Sequence, residues 1–331
     1  MVHILHISDL HFVNNAASSN FQSILLKEAY ERTKSIPQGE KLLIATGDFH
    51  NFWNEDYQQA DTFLKQLVKK MGLDMKQDVF VVPGNHDVGN DKALNTLLKP
   101  VDENWKRHHK AYLYMLKNGH KEYIEDRLLV FRPYSAFVQG LGVYDIALGQ
   151  DYPASSHVRN WRGKLNIMHL NTALIADGTP ERNEMADVDK AAAPETWSTH
   201  YDEKNPSLAI GHNSFYDLKV EQRKDLAGTF DLRNVSAYLS GDKHQTEKNP
   251  EHQMIRIESG HRKGWSIPNL VAAKSIADGE DNESEIGFSW HQWDENSDKV
   301  TVEFRKWTRN NLGKTISAGE DGEYAMRSLR N

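Results

Sequence analysis

No cysteine occurs among the 331 residues, so disulfides, thiolate metal sites and a cysteine nucleophile are all excluded. Long apolar runs are missing as well. No stretch approaches the roughly 20 residues of a membrane-spanning helix, and the first apolar strand is not preceded by the basic and apolar regions of a signal segment. A cytoplasmic protein without membrane attachment is the expectation. Positive charge is not in excess either: 40 basic residues stand against 47 acidic ones, and a net charge of −7 gives no general field that favours nucleic acid. Any affinity for phosphate must then be local, as bound cations would supply it. A mean hydropathy of −0.69 points to a modest core wrapped in polar loops and exposed helices. The length allows one large α/β domain or two smaller ones.

What is present is a repeated device. Val79-Phe80-Val81-Val82 is an apolar run that ends abruptly in Pro83-Gly84-Asn85-His86-Asp87, a turn with three side chains able to bind metal or move protons. Ile4 to Ile7 leads in the same way to Asp9 and His11, and Leu42 to Thr46 to Gly47-Asp48. Each unit reads as a buried strand that delivers a ligand at its carboxyl end, where open α/β sheets place their sites. Helices are expected over about Phe21–Ser35 and Asp56–Met71, the second with Phe63, Leu64, Leu67, Val68 and Met71 at helical spacing. Strand-then-ligand units recur at Ser207 to His212 and Val235 to Asp242, so one domain with insertions fits better than two domains.

The remainder is plainer. Trp105–Lys121 reads as a charged helix, followed by the aromatic-rich Phe131–Phe137, and residues 91–163 form an expected insertion that either shapes a pocket or packs on the core. Leu165–Leu174 reads as a strand, and Ala176–Asn205 as a long polar loop. Leu270–Ala273, Ile286–Trp293 and Val300–Trp307 suggest further strands, the last two a hairpin. Gly279–Glu285 reads as an acidic loop. The domain is expected over 1–309, with 310–331 a polar tail that is disordered or orders against a partner.

In order and strand context, Asp9 and His11, Gly47-Asp48, Gly84-Asn85-His86-Asp87, Gly211-His212 and Gly241-Asp242-Lys243-His244 resemble the calcineurin-like metallophosphoesterase superfamily. One position departs, since Asp242 stands where that family usually has histidine. The resemblance implies a metallo-dependent phosphatase-like fold: an α/β/β/α sandwich of two mixed sheets flanked by helices. It implies that Asp9, His11 and His244 bind one metal ion, that Asp48 bridges two, and that Asn85, His212 and Asp242 complete the second. His86 is then the group that binds the scissile phosphate and protonates the leaving oxygen, with Asp87 orienting it. The nucleophile implied is a hydroxide between the ions.

Oxygen and imidazole donors without thiolate suit two divalent ions, manganese first, with iron, zinc, nickel or magnesium as alternatives. The carboxylate of Asp242 shifts the preference toward manganese or magnesium. The expected function is metal-dependent phosphoester hydrolysis, a phosphodiester preferred to a monoester, with a nucleotide or nucleic-acid substrate and no protein partner indicated. Two rival readings stand beside it: a DNA nuclease of the repair-exonuclease type, drawing on a local patch of Arg256, Arg262, Lys263 and Lys274, and a binding module that keeps the fold with weak catalysis. His50 and Asn51 could face the cleft or sit in a surface loop, and His169 and Asn171 could line the pocket or, as preferred, be structural.

Overall fold

The computed structural model describes residues 1–12, 16–50, 56–89, 128–144, 154–174, 201–218, 220–243, 251–258, 260–261, 263–275, 287–294, 299–307 and 316–325. Two six-stranded sheets are built from β1 (Val2–Ile7), β2 (Lys41–Thr46), β3 (Val79–Val82), β4 (His157–Trp161), β5 (Leu165–His169), β6 (Ser207–Ile210), β7 (Val235–Ser240), β8 (Met254–Arg256), β9 (Ser266–Val271), β10 (Gly287–Asp294), β11 (Lys299–Trp307) and β12 (Ile316–Ala325). The first runs β12-β11-β10-β1-β2-β3, and the second β4-β5-β6-β7-β9-β8. In the first, β1, β2 and β3 are parallel while β10, β11 and β12 are antiparallel. In the second, β5, β6, β7 and β9 are parallel, with antiparallel edges at β4 and β8.

The burial pattern explains the layers. β2 and β3 are buried at every position, as parallel strands covered on both faces must be. Alternate side chains divide between two cores: Val2, Ile4, Leu42, Ile44, Phe80 and Val82 meet Ile167, Ile210 and Leu239 of the second sheet, whereas Leu5, Ile7, Leu43 and Val81 face helices. Those helices are α1 (Ala16–Thr33), α2 (Gln58–Met71) and, across the outer face, α4 (Arg132–Leu141); the short α3 (Met75–Asp78) leads into β3. On the far side α5 (Val220–Leu232) covers the second sheet through Leu226, Ala227 and Phe230. The result is the expected α/β/β/α sandwich. α2 buries the very face its sequence spacing marks, and stops where Gly72 adopts φ 66°, its N–H returning to the last turn.

Several boundaries differ from the sequence reading. β5 ends at His169, one ladder bond short of its last contact with β6, since Leu170 N–H still reaches Ile210 O at 2.9 Å. The region read as an insertion contributes α4 and the edge strand β4, which returns antiparallel to β5 through the turn Arg162 (φ 53°) and Gly163 (φ 69°). Its Trp105–Lys121 stretch lies outside the described residues, as do most of Ala176–Asn205, Gly279–Glu285 and the turn between β10 and β11. Within the expected tail, Ile316–Ala325 pairs with β11 as an edge strand of the same chain. Edge strands need main-chain partners more than apolar side chains, so a polar composition hides them.

One buried carboxylate ties the two sheets together. Asp78, fully buried at the end of α3, accepts from Trp161 Nε1 (3.0 Å) and from Arg162 Nε (2.7 Å) and Nη2 (3.0 Å), both on the second sheet. Removing it would leave an indole N–H and a guanidinium without their acceptor. Asp78→Ala should destabilise the protein by about 1–3 kcal/mol in urea unfolding; a loss below about 0.5 kcal/mol, the size of an ordinary surface change, would show the clamp to be dispensable.

Histidines inside the sandwich make a pH-dependent contribution. His291 faces His6 with ring centroids 5.5 Å apart, and burial pushes His291 down to about 3. Between that value and the ordinary histidine value near 6.5, the unfolded chain binds a proton that the folded chain refuses. Stability from this residue is therefore complete above about pH 6.5 and falls as the pH drops toward about 3. His291→Leu should make the acid loss of unfolding free energy shallower by up to about 1.4 kcal/mol per pH unit, and an unchanged slope would assign the acid sensitivity elsewhere.

Candidate metal centre

The carboxyl ends of β1, β2, β3, β6 and β7 converge on one edge of the sandwich, and the side chains they release meet around a single atom, Asp48 Oδ2. His212 Nε2 lies 3.3 Å from it, His11 Nε2 3.6 Å and His86 Nε2 3.9 Å. Donor atoms of Asp9, Asp48 and His212 form one group within 4.8 Å of one another, and those of His11, Asp48 and His86 a second. Asp48 belongs to both. Two groups of oxygen and imidazole donors joined by one carboxylate suit two divalent cations, although they put Asp9 with His212 and His11 with His86, across the division that the resemblance implies.

The local backbone is shaped for this. Asp9 (φ 52°), His11 (φ 37°), Asp48 (φ 55°) and Asp242 (φ 68°) are four of the six non-glycine residues with positive φ among the described residues. Such conformations are unfavourable for L residues and collect where function requires them. They turn each side chain back over the strand end. Two glycines allow the loops to close: at Gly47 (φ 90°) a Cβ would lie 2.6 Å from Gly84 N, and at Gly84 it would overlap Asp48 Oδ1.

Protonation follows from burial and neighbours. Burial alone would raise Asp48, but His212, His86 and His11 hold it well below the usual carboxylate range, so it is ionised. Burial lowers His11 to about 3 against the pull of Asp48, which leaves a neutral ring of the kind that binds metal. For His212 burial acts downward, yet Asp48 and Asp242 outweigh it and hold the ring well above its ordinary value. Its Nδ1 bonds Thr46 O at 2.6 Å, which assigns the proton to Nδ1 and turns Nε2 toward Asp48, Asn85 (2.8 Å) and Asp242 (3.4 Å). A cation there would compete with the second proton.

Asp242, the departure from the family pattern, faces the cluster. Its carboxylate accepts from Asn213 Nδ2 at 3.0 Å, and its N–H bonds Asp9 Oδ2 at 3.1 Å. Asn85 is buried and stands against His212. His244 lies outside the described residues.

Asp87 is bonded to the main chain of both loops. Oδ2 accepts from the N–H groups of Asp48 and Gly84, each at 2.8 Å, and Oδ1 from Phe49 N–H (3.2 Å) and Tyr57 hydroxyl (3.3 Å). The carboxylate thus fastens the β2 and β3 loops to each other, and among the described residues its bonds go to these groups and not to the His86 ring. Burial pushes it up to about 6 even so. His50 is buried against Tyr57 (centroids 4.3 Å), away from a surface-loop setting, and Asn51 is outside the described residues. His169 stacks on His157 at 4.2 Å, and Asn171 bonds Ala154 O at 2.7 Å, so both are structural.

Sequence reading missed Thr172, whose hydroxyl accepts from the N–H groups of His212 (3.0 Å) and Asn213 (2.9 Å), and Tyr57 and Asn213 as supports. Nothing local marks them, because each acts on residues about 30 or 40 positions away. Lys274 is fully buried and close enough to His11 to depress it.

Because Asp48 is common to both groups, Asp48→Asn should remove both ions, whereas Asp242→Ala should reduce the metal content by about one of two. Elemental analysis after reconstitution checks this; two ions retained by Asp48→Asn would rule out the shared carboxylate.

The chain is 23% identical to the uncharacterized metallophosphoesterase-like protein YydB of Bacillus subtilis (strain 168), over 94% of this chain and 62% of that protein. It therefore spans less than two thirds of that relative's length. Among solved structures, wild-type Vps29 of Entamoeba histolytica complexed with zinc is similar over 97% of this chain and 99% of its own, with 10% identity and a TM-score of 0.40. The 5'-nucleotidase precursor of Thermus thermophilus is similar over 98% of this chain and 54% of its own, at 12% identity and a TM-score of 0.39. Residues 2–246, a span that holds every ligand-bearing strand end described above, match the calcineurin-like phosphoesterases, and the chain belongs to that family.

Proposed function

We propose that this protein is a metal-dependent phosphodiesterase whose two cations are held by Asp9, His11 and His244 on one side and by Asn85, His212 and Asp242 on the other, with Asp48 between. The observation that carries the reading is the sharing of Asp48 Oδ2 by three imidazoles in two donor groups. When bound, the cations would supply charge neutralisation on the phosphate and lower the pKa of water so that it attacks near neutral pH.

The chain's own residues divide the remaining work. Asp9, His11, Asp48, Asn85 and His212 are almost fully buried, which keeps them dry and fixed. His86 is 27% exposed, so it stands at the mouth of the cluster where a substrate arrives. Its N–H bonds Asp48 Oδ1 at 2.9 Å, and its ring meets His11 edge-on at 4.6 Å. A ring so held can hydrogen-bond the scissile phosphate and give a proton to the leaving oxygen. Asp87 acts at one remove, keeping the β2 and β3 loops in register so that His86 and Asp48 stay in contact.

The charges around the cluster favour a monoanionic diester over a dianionic monoester. Lys243 is already paired with Asp217 at 3.1 Å, which takes up its charge at the mouth. A nucleotide or nucleic-acid diester is the substrate class proposed. Manganese is the preferred ion, since carboxylates and imidazoles occur together and a third carboxylate replaces an imidazole at Asp242.

Two measurements test the reading. The manganese-loaded protein should turn over bis(p-nitrophenyl) phosphate faster than p-nitrophenyl phosphate; no hydrolysis of either with any divalent ion would reduce it to a binding module. His86→Ala should retain its metals and lose about 10²–10⁴ in kcat, with a smaller loss for p-nitrophenyl than for alkyl leaving groups. Equal losses for both would make His86 a phosphate binder with no part in proton transfer.

A further inference from the structure

A cavity of about 530 Å³ opens beside the first turns of α5 and the end of β8, with Phe215, Tyr216, Arg223, Lys224, Arg256 and Glu258 in its walls. Three cations and one carboxylate make it a positive recess on a chain of net charge −7. Among the described residues none of these cations is in an ion pair, and Arg223 Nε is buried without a hydrogen-bond partner. Arg256, read from the sequence as part of a basic patch, belongs here; Lys274 does not, and Arg262 lies outside the described residues.

Arg223 is held in place. Its guanidinium lies over Tyr216, 5.6 Å from the ring centroid. Tyr216 is fixed in turn by stacking on His252 at 4.3 Å and by donating to Met254 O at 2.7 Å. A guanidinium positioned by its aromatic support, with an unused donor and two further cations nearby, is suited to an oxyanion. Since Tyr216 is already engaged, charge rather than base stacking is the anchor.

The cavity is also joined to the metal cluster along the chain, although Arg256 stands opposite Ser266 at the start of β9. β6 delivers His212, and the chain then passes through Asn213, Ser214 and the turn Phe215–Asp217 directly into α5. Asp217 pairs with Lys243, next to Asp242, which ties this turn to the ligand loop. We propose that the recess binds a phosphate group in the part of the substrate that is not cleaved. The proposal of a binding site stands on the cavity alone; its role in substrate recognition rests on the phosphodiesterase reading.

Titration of inorganic phosphate, adenosine 5'-monophosphate and glucose 6-phosphate into Asp48→Asn with chelator present would isolate the recess from the metals. All three should bind, and adding Arg223→Ala with Arg256→Ala should weaken each by about tenfold, roughly the worth of one charge-assisted hydrogen bond. Arg256→Glu should weaken them further, which guards against a misfolded double variant. No binding by Asp48→Asn, or binding unaffected by the arginine changes, would overturn the site whatever the enzyme hydrolyses. Strong binding of the adenosine compound alone would also overturn it, because a base and not a phosphate would then be the anchor. In the metal-loaded enzyme, the arginine variant should raise KM for a diester bearing a second phosphate and leave bis(p-nitrophenyl) phosphate turnover unchanged. An unchanged KM for the larger diester would overturn the substrate role while leaving the phosphodiesterase reading intact.

Discussion

An ionised carboxylate at 1% exposure is costly to bury unless charge and hydrogen bonds compensate it, and the architecture around Asp48 supplies both. Three imidazoles surround Oδ2, and the His86 N–H holds Oδ1. To bring those groups together, strands from both sheets must end at one edge with their following loops turned inward. The face-to-face packing of the sheets through Ile4, Ile44, Val82, Ile210 and Leu239 serves that end. Slippage of β6 against β2 would move His212 away from Thr46 O and Asp48 together.

The closing loops are held by a second, fully buried carboxylate. Asp87 gathers main-chain N–H groups from two loops, which fixes the relative height of β2 and β3 at the point where Asp48 and His86 emerge. Positive φ at Asp9, His11, Asp48 and Asp242 is sustained by such bonds: Asp9 and His11 N–H reach Gly47 O and Asp48 O at 3.1 and 3.0 Å. Backbone strain at the ligands is thus balanced by hydrogen bonds made just behind them.

What can be read from the sequence is whatever is local. A buried strand followed within a few residues by Asp, His or Asn is visible in a short window, and Asp9, His11, Asp48, Asn85, His212 and Asp242 all stand out that way. The α/β/β/α layering follows from the same windows together with the spacing in α2. The bonds of Asp87 to Asp48 and Phe49 cannot be read there, because those residues lie 39 and 38 positions away. Thr172 escapes notice for the same reason. The strands overlooked, β4, β8 and β12, are at sheet edges, where one-sided pairing relaxes the apolar pattern.

Charge density on the loop edge links metal binding to the order of the whole site. Asp9, Asp48, Asp87 and Asp242 are gathered on adjoining loops, and burial already holds Asp87 up to about 6. Without cations, His212 is drawn to its protonated form by Asp48 and Asp242. Cations would replace that proton and offset the remaining repulsion, so binding of metal would release protons and steady the loops in the same step. The ligands must therefore be presented on strained but firmly bonded turns. A looser edge would collapse its carboxylates outward into water, and a neutral one would give up the cations that make phosphate binding favourable on a chain with excess negative charge.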